Sequence, residues 1–218
     1  SIFGGVPELV NAYTGNIPID MDAVYINMSD GLTQTYSRVQ IPILCDMLGI
    51  QFSGSRAFGV ALMTNKHYTK LAVQEHGILC PSGDIATNEN YEKILNKNWT
   101  YPIMIKPNTE GSSVGITQDN VCFSLSSLRT RLHNLLNDFS EVVVEEYISG
   151  ADVTCFLLGN PGNYVLNEVL LVKHHGKCFF DKEVMEMDDH AHKRTSYLMA
   201  DEILPAWLIE KIKETTIT

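Results

Sequence analysis

Lys106-Pro-Asn-Thr-Glu-Gly-Ser-Ser-Val-Gly115 follows directly on the apolar run Tyr101-Pro-Ile-Met-Ile105, so a lysine closes a strand and a glycine- and serine-rich turn begins at once. Small residues let backbone N–H groups approach an anion closely, and the lysine adds a point charge beside them. The stretch is not a Walker A loop: it lacks the Gly-Lys-Ser/Thr ending, and no helix follows at the right place. Taken alone, an ordinary hairpin turn stays an equally good reading, because Gly/Ser turns are common. The neighbouring segments have to decide.

Downstream, Leu125, Leu128, Leu132, Leu135 and Leu136 recur at helical spacing and mark one apolar stripe, which is read as core. Val142-Val-Val-Glu-Glu-Tyr-Ile148 is an apolar strand that ends in paired acids and an aromatic, a few residues before Asp152. Carboxylates and exposed backbone at such a strand end accept hydrogen bonds from amines and hydroxyls. The competing reading is an edge strand running out into solvent. Glu141–Tyr147 and Asp152–Leu158 are read as two strands of a hairpin joined by 148–151, with Tyr164–Val172 as a third strand. Pro205 opens a last helix.

Upstream, Asp22–Met28 reads as a buried strand, followed by the polar Ser29-Asp30-Gly31. A helix is expected over Tyr36–Leu48, with Val39, Ile43, Met47 and Ile41, Leu44, Leu48 at helical spacing and Gly49 as its stop. With Ile50–Phe52 this makes one α/β unit. A small-residue helix comes next, and Asn65 caps another that carries Tyr68, Leu71 and Ala72 on one face. After His76-Gly77 the pattern becomes strand-rich, of α+β type, and a boundary is placed near Gly83.

The chain of 218 residues holds 16 basic against 26 acidic side chains, a formal net charge of −10, which argues against a generic binder of nucleic acid or anionic membranes. With 44% hydrophobic and 19% charged residues it buries real cores and is not disordered. The five cysteines, Cys45, Cys80, Cys122, Cys155 and Cys178, form neither a disulfide framework nor a zinc pattern, so a reduced, cytoplasmic setting is expected. The sequons at Asn27 and Asn98 are read as chance, and no apolar stretch reaches the roughly 20 residues of a membrane span.

In order and spacing, Gly49–Ser55, Met63-Thr-Asn-Lys66, Tyr101–Pro107, Glu110–Gly115, Val144–Ile148 and Asp152-Val-Thr154 resemble the ATP-grasp ligases, most closely D-alanine–D-alanine ligase and its relatives. The resemblance covers about Asp22 to Val172 and implies an α/β and α+β ATP-grasp fold. Residues 1–82 then correspond to a partial N-terminal α/β region with connecting helices, 83–172 to the central nucleotide-binding subdomain, and 173–218 to the start of the C-terminal domain with its substrate loop. It implies ATP- and magnesium-dependent joining of a carboxylate and an amine through an acyl phosphate, with dipeptide formation for peptidoglycan as the leading case. Small amino acids or similar carboxylate and amine substrates, a cytoplasmic location and a homodimer, common in the family, are implied with it.

By the same resemblance Lys66 and Lys106 contact phosphates, and Glu110, Gly111, Ser112, Ser113, Val114 and Gly115 form the loop that closes over them. Ser112 orients substrate and Ser113 contacts phosphate; Glu145, Glu146, Tyr147 and Ile148 hold adenine largely through backbone groups, and Asp152 meets the ribose. Phosphoryl transfer needs positioning and cancellation of negative charge, which suits lysines and backbone donors. Past Val172 the pattern thins. The family's third phosphate lysine and catalytic tyrosine fall on Met185 and Glu186, with Lys182, Lys193 and Arg194 as substitutes in a shifted register. The expected metal ligands lie past Thr218, and a piece of a longer polypeptide is the favoured reading; Phe3-Gly-Gly-Val6 only superficially resembles the family's opening turn. His174-His175 and Asp188–His192 are read as a solvated loop rather than a metal site. A second class of function, a nucleotide-binding regulatory or assembly module without ligation, stands as the rival.

Overall fold

A computed structural model of the chain describes residues 5–15, 18–29, 31, 36–174 and 195–218. Contacts divide it into two units, one of residues 1–71 with 108–111, the other of 72–107 with 112–218.

The first unit begins with helix α1 (Val6–Tyr13), whose Pro7 sits in the first turn where no backbone donor is needed. Strand β1 (Val24–Tyr25) pairs in parallel with β2 (Gln51–Phe52), and a 3₁₀ turn, Ser37–Val39, leads into helix α2 (Gln40–Leu48) between them. Gly49 ends α2 in the left-handed conformation, as its place in the sequence suggests. The core joins Leu9, Ile41, Cys45 and Ile50, with Tyr25, Leu44, Leu48 and Phe52 against it. Two expectations are corrected. The buried strand over Asp22–Met28 is only two residues long, and Ile26 and Met28 are 78% and 91% exposed. An apolar run is buried on both faces only where both are covered, and here Tyr25 turns inward while Val24 and Ile26 face out. Of the residues placed at helical spacing over Tyr36–Leu48, Val39 in the 3₁₀ turn and Ile41 in α2 are buried together with Cys45, whereas Ile43 and Met47 are exposed.

Helix α3 (Ala57–Thr64) is followed by α4 (Lys66–Gln74). Asn65 caps α4 as expected, its Oδ1 accepting from the Tyr68 N–H at 3.0 Å.

The second unit is built on a four-stranded antiparallel sheet of β3 (Gly83–Ala86), β4 (Ile103–Pro107), β5 (Val121–Cys122) and β6 (Val142–Glu146), in the spatial order β3-β6-β4-β5. Helices α5 (Tyr91–Leu95) and α6 (Leu125–Asp138) cover one face. Ile103, Ile105, Val142 and Val144 point toward Leu128, Leu132, Leu135 and Leu136 and are buried with them. Four of the five leucines read as core from the sequence are thus core, while Leu125, the first residue of α6, is 45% exposed. The alternation of the strands sends Met104, Lys106 and Glu145 to the opposite face.

Strands β7 (Asp152–Asn160), β8 (Asn163–His174) and β9 (Thr195–Met199) form a second antiparallel sheet in that order, backed by helix α7 (Ala206–Ile217) through Val169, Ala200, Ile209, Cys155, Leu204 and Ile212. The hairpin expected between Glu141–Tyr147 and Asp152–Leu158 does not form. Strand β6 is interior, hydrogen-bonded to β3 on one side and β4 on the other, so neither of its edges is left for β7. The chain crosses to the other sheet at 148–151, and β7 turns back on β8 instead. The edge-strand reading of Val142–Ile148 is excluded by the same pairing. Pro205 sits at the N-cap of α7, one residue outside the helix. No helix among the described residues is long and apolar enough to cross a membrane.

Candidate functional site

At the end of β6, in the second unit, an open cavity of about 270 Å³ is lined by Pro81, Met104, Lys106, Ile116, Glu145, Glu146, Tyr147, Ile148, Gly150 and Asp152. Six of the site residues expected from the sequence therefore converge there: Lys106, Glu145, Glu146, Tyr147, Ile148 and Asp152. Met104 and Lys106 reach the cavity because they are two residues apart on one strand, with Ile103 and Ile105 turned to the core. Met104 lies directly opposite Glu145 in the ladder, which sets Lys106 diagonally across from it. Lys106 Nζ is 2.5 Å from Glu145 Oε1, and the Glu145 side chain is 3% exposed against 27% for the lysine.

The segment after Glu145 is held by its backbone and by a side chain. The Glu146 N–H donates to the Ser82 carbonyl at 2.9 Å, the Ser82 N–H donates to Glu146 Oε1 at 3.0 Å, and the Tyr147 N–H donates to the Pro102 carbonyl at 3.2 Å. The cavity has apolar walls in Pro81, Met104 and Ile116, carboxylates at Glu145, Glu146 and Asp152, and the ammonium group of Lys106, which pairs with Glu145. An apolar slot with a few converging polar groups suits a flat aromatic base attached to a hydroxyl-bearing, anionic tail. Sequence reading missed Pro81, Met104, Ile116 and Gly150. Only Met104 carried a signal, its two-residue offset from Lys106.

The glycine- and serine-rich loop departs from the lysine strand. Ser112, Ser113 and Gly115 have φ of 50°, 57° and 73°, so the two serines adopt a backbone that L-residues rarely take. In the first unit, Lys66 Nζ donates to the carbonyls of Glu110 and Asn108, the latter at 3.3 Å, while the His67 N–H donates to Asn108 Oδ1 at 3.0 Å. A Cβ on Gly111 would stand 2.5 Å from Arg38 Nη1, so a guanidinium occupies the space a side chain would need. Neither Asn108 nor Arg38 was among the expected residues. In the second unit, a Cβ on Gly115 would stand 2.7 Å from Pro107 Cγ and 2.8 Å from Phe139 Cε2.

Among the described residues no group of three or more His, Cys, Asp or Glu side chains is placed to hold a metal ion. Phe3, Cys178, His175, Phe179–Glu186 with Lys182, Met185 and Glu186, Asp188–His192, Lys193 and Arg194 lie outside the described residues, as does the side chain of His174. Cys45 and Cys122 are free and buried, and burial pushes the Cys122 thiol up to about 11. Burial, with Asp46 beside it, also raises the Cys45 thiol.

The model of the D-ala D-ala ligase C-terminus family matches residues 67–217. The chain belongs to that family. The D-alanine–D-alanine ligase of Halalkalibacterium halodurans is 31% identical over 147 residues, which cover 67% of this chain and 46% of that protein. The crystal structure of the VanG D-Ala:D-Ser ligase of Enterococcus faecalis superposes with a TM-score of 0.66 at 25% identity, over 81% of this chain and 50% of that one. A Bacillus anthracis D-alanine–D-alanine ligase complexed with ATP gives a TM-score of 0.67 over 99% of this chain and 62% of its own, at 20% identity. The fold is therefore the mixed α/β ATP-grasp fold of this family. The chain spans about half the length of the curated relatives it matches. The family match contains every residue of the cavity and stops one residue short of Lys66.

Proposed function

We propose that this chain is the nucleotide-binding part of an ATP- and magnesium-dependent ligase that joins a carboxylate to an amine through an acyl phosphate, with D-alanine–D-alanine or a similar dipeptide as product. The observation that carries this reading is the convergence of Lys106, Glu145, Glu146, Tyr147, Ile148 and Asp152 on one apolar-walled cavity at the end of a buried strand. Its support is the family match and the ligase names of the curated relatives; nothing comparable favours a regulatory module without ligation.

In this proposal the cavity takes adenine between Met104, Ile116 and Pro81, with backbone groups of Glu146–Ile148 reading its edge and Asp152 meeting the ribose hydroxyls. Lys106 and Lys66 are each assigned a phosphate contact. Glu110 through Gly115 form the closing loop, in which Ser112 orients substrate and Ser113, Val114 and the glycines present backbone N–H groups to phosphate. ATP supplies the phosphoryl group that activates the carboxylate. Among the described residues no group of three or more His, Cys, Asp or Glu side chains is placed to hold the magnesium. Residues 1–82, 83–172 and 173–218 are proposed as the functional divisions, and amino-acid substrates, a homodimer, a cytoplasmic location and a role in peptidoglycan synthesis belong to the same proposal.

Calorimetric titration of ATP with magnesium into the chain tests it. Binding is expected in the native chain and is expected to be lost in Lys106→Met/Glu145→Leu, which removes the cation without stranding its buried partner. A folded native chain that takes up no nucleotide, or a double variant that binds as well as the native chain, sinks the reading.

A further inference from the structure

Asn120, fully buried, sits where strand β4, the end of the glycine- and serine-rich loop and helix α6 meet. Its Nδ2 donates to the Ile105 carbonyl at 2.6 Å and to the Gly115 carbonyl at 3.0 Å. Its Oδ1 accepts from the Thr117 N–H at 2.8 Å, and from Arg131 Nη2 at 2.8 Å and Nε at 3.2 Å. Arg131 Nη2 also donates to the Gly115 carbonyl at 3.1 Å. One carboxamide thus ties the residue before Lys106 to the residue that ends the loop, and one guanidinium fork, half-buried on α6, locks that carboxamide in place. Both carboxamide N–H groups are used, and charge-assisted bonds from a planar fork fix orientation more strictly than a single ammonium could.

From this network we propose that Asn120 and Arg131 are positioning residues for the proposed nucleotide site: they hold the C-terminal root of the loop, so that it pivots on the N-terminal side of Gly115. The inference rests on the nucleotide-binding reading of the loop and deepens it. Three further observations agree. Gly115 lies so close to Pro107 and Phe139 that a Cβ there would collide with both, so only glycine fits this root of the loop. The Ile116 N–H donates to the Ser113 carbonyl at 3.0 Å, folding the end of the loop onto its anchored root. The left-handed backbone of Ser112 and Ser113 lies just N-terminal of that root, where a change of φ and ψ relieves strain instead of creating it. With its C-terminal root fixed and strain at Ser112 and Ser113 beside it, the loop moves about those two residues, which keeps its backbone donors aimed at a common point.

Hydrogen exchange followed by mass spectrometry on the full chain, first without nucleotide, compares the native protein with Arg131→Ala and Arg131→Lys. Exchange of the 113–117 amides is expected to quicken at least tenfold in Arg131→Ala and less in Arg131→Lys, while the amides of Val142–Glu146 keep their native rates. Unchanged exchange at 113–117 overturns the proposal, and so does an equal rise in both segments, which would make Arg131 a general stabiliser. ATP titration of the same variants is expected to show affinity reduced at least fivefold in Arg131→Ala and partly restored in Arg131→Lys. Native affinity in Arg131→Ala overturns the positioning role. If the native chain itself binds no ATP, the nucleotide reading fails, while the exchange result still decides whether the hinge exists.

Discussion

Lys106 and Glu145 show how one pair serves two ends. The lysine closes the strand that reads most clearly in the sequence, and its partner is a carboxylate almost wholly removed from solvent. Taking the cation away removes an ion-pair partner from a buried carboxylate, so Lys106→Met is expected to lower stability by about 2–4 kcal/mol, and Lys106→Met/Glu145→Leu to recover most of it. Urea unfolding of the two variants checks this, and equal stability of both would show that the ion pair is not holding the carboxylate in place. At Gly115 the constraint is steric. A side chain there meets Pro107 and Phe139 and carries the left-handed penalty besides, so Gly115→Ala should cost about 2–3 kcal/mol in the same measurement. The sequence names both residues as special, but it gives the lysine only a ligand, not a neighbour, because a diagonal cross-strand contact depends on register.

At the scale of elements, helix α6 was legible from its leucines, since a stripe at 3.6-residue spacing has a single way to be buried. Its start is held by a cap that the sequence reading did not name: Ser124 accepts from the Ser127 N–H at 3.2 Å. Ser124→Ala is therefore expected to cost about 1 kcal/mol. Leu132→Ala, at a fully buried position, should cost about 3–4 kcal/mol, whereas Leu125→Ala, at a 45% exposed one, should cost well under 1 kcal/mol. Thermal unfolding of the three variants checks the order, and a Leu125 effect as large as that of Leu132 would contradict the placement of the stripe. The strands were read less well. Segment, loop and segment at 141–158 have the length and composition of a hairpin, yet β6 already has both neighbours, and nothing local to 141–158 announces β3 more than fifty residues earlier.

For the molecule as a whole, the buried thiol of Cys122 sets a pH dependence. Its native value of about 11 lies above the ordinary 9.0, so the unfolded chain loses that proton first. The contribution is complete below pH 9 and is lost as pH rises from 9 to 11, amounting to roughly 1–3 kcal/mol. Urea unfolding between pH 8 and 11 should show that decline in the native chain and a shallower one in Cys122→Ala; the same slope in both would remove the thiol from the account. The sequence by itself determined the family, the helix stripe and caps, the lysine strand and the order of motifs along the chain, because each of these depends on residues within a few positions of one another. Which strands pair, which face of each is wet, and how Asn120 and Arg131 grip the loop were decided by the tertiary structure alone. Hydrogen-bonding edges and buried partners are supplied by distant segments, and a free edge or a missing cover leaves no mark on the residues that lack it.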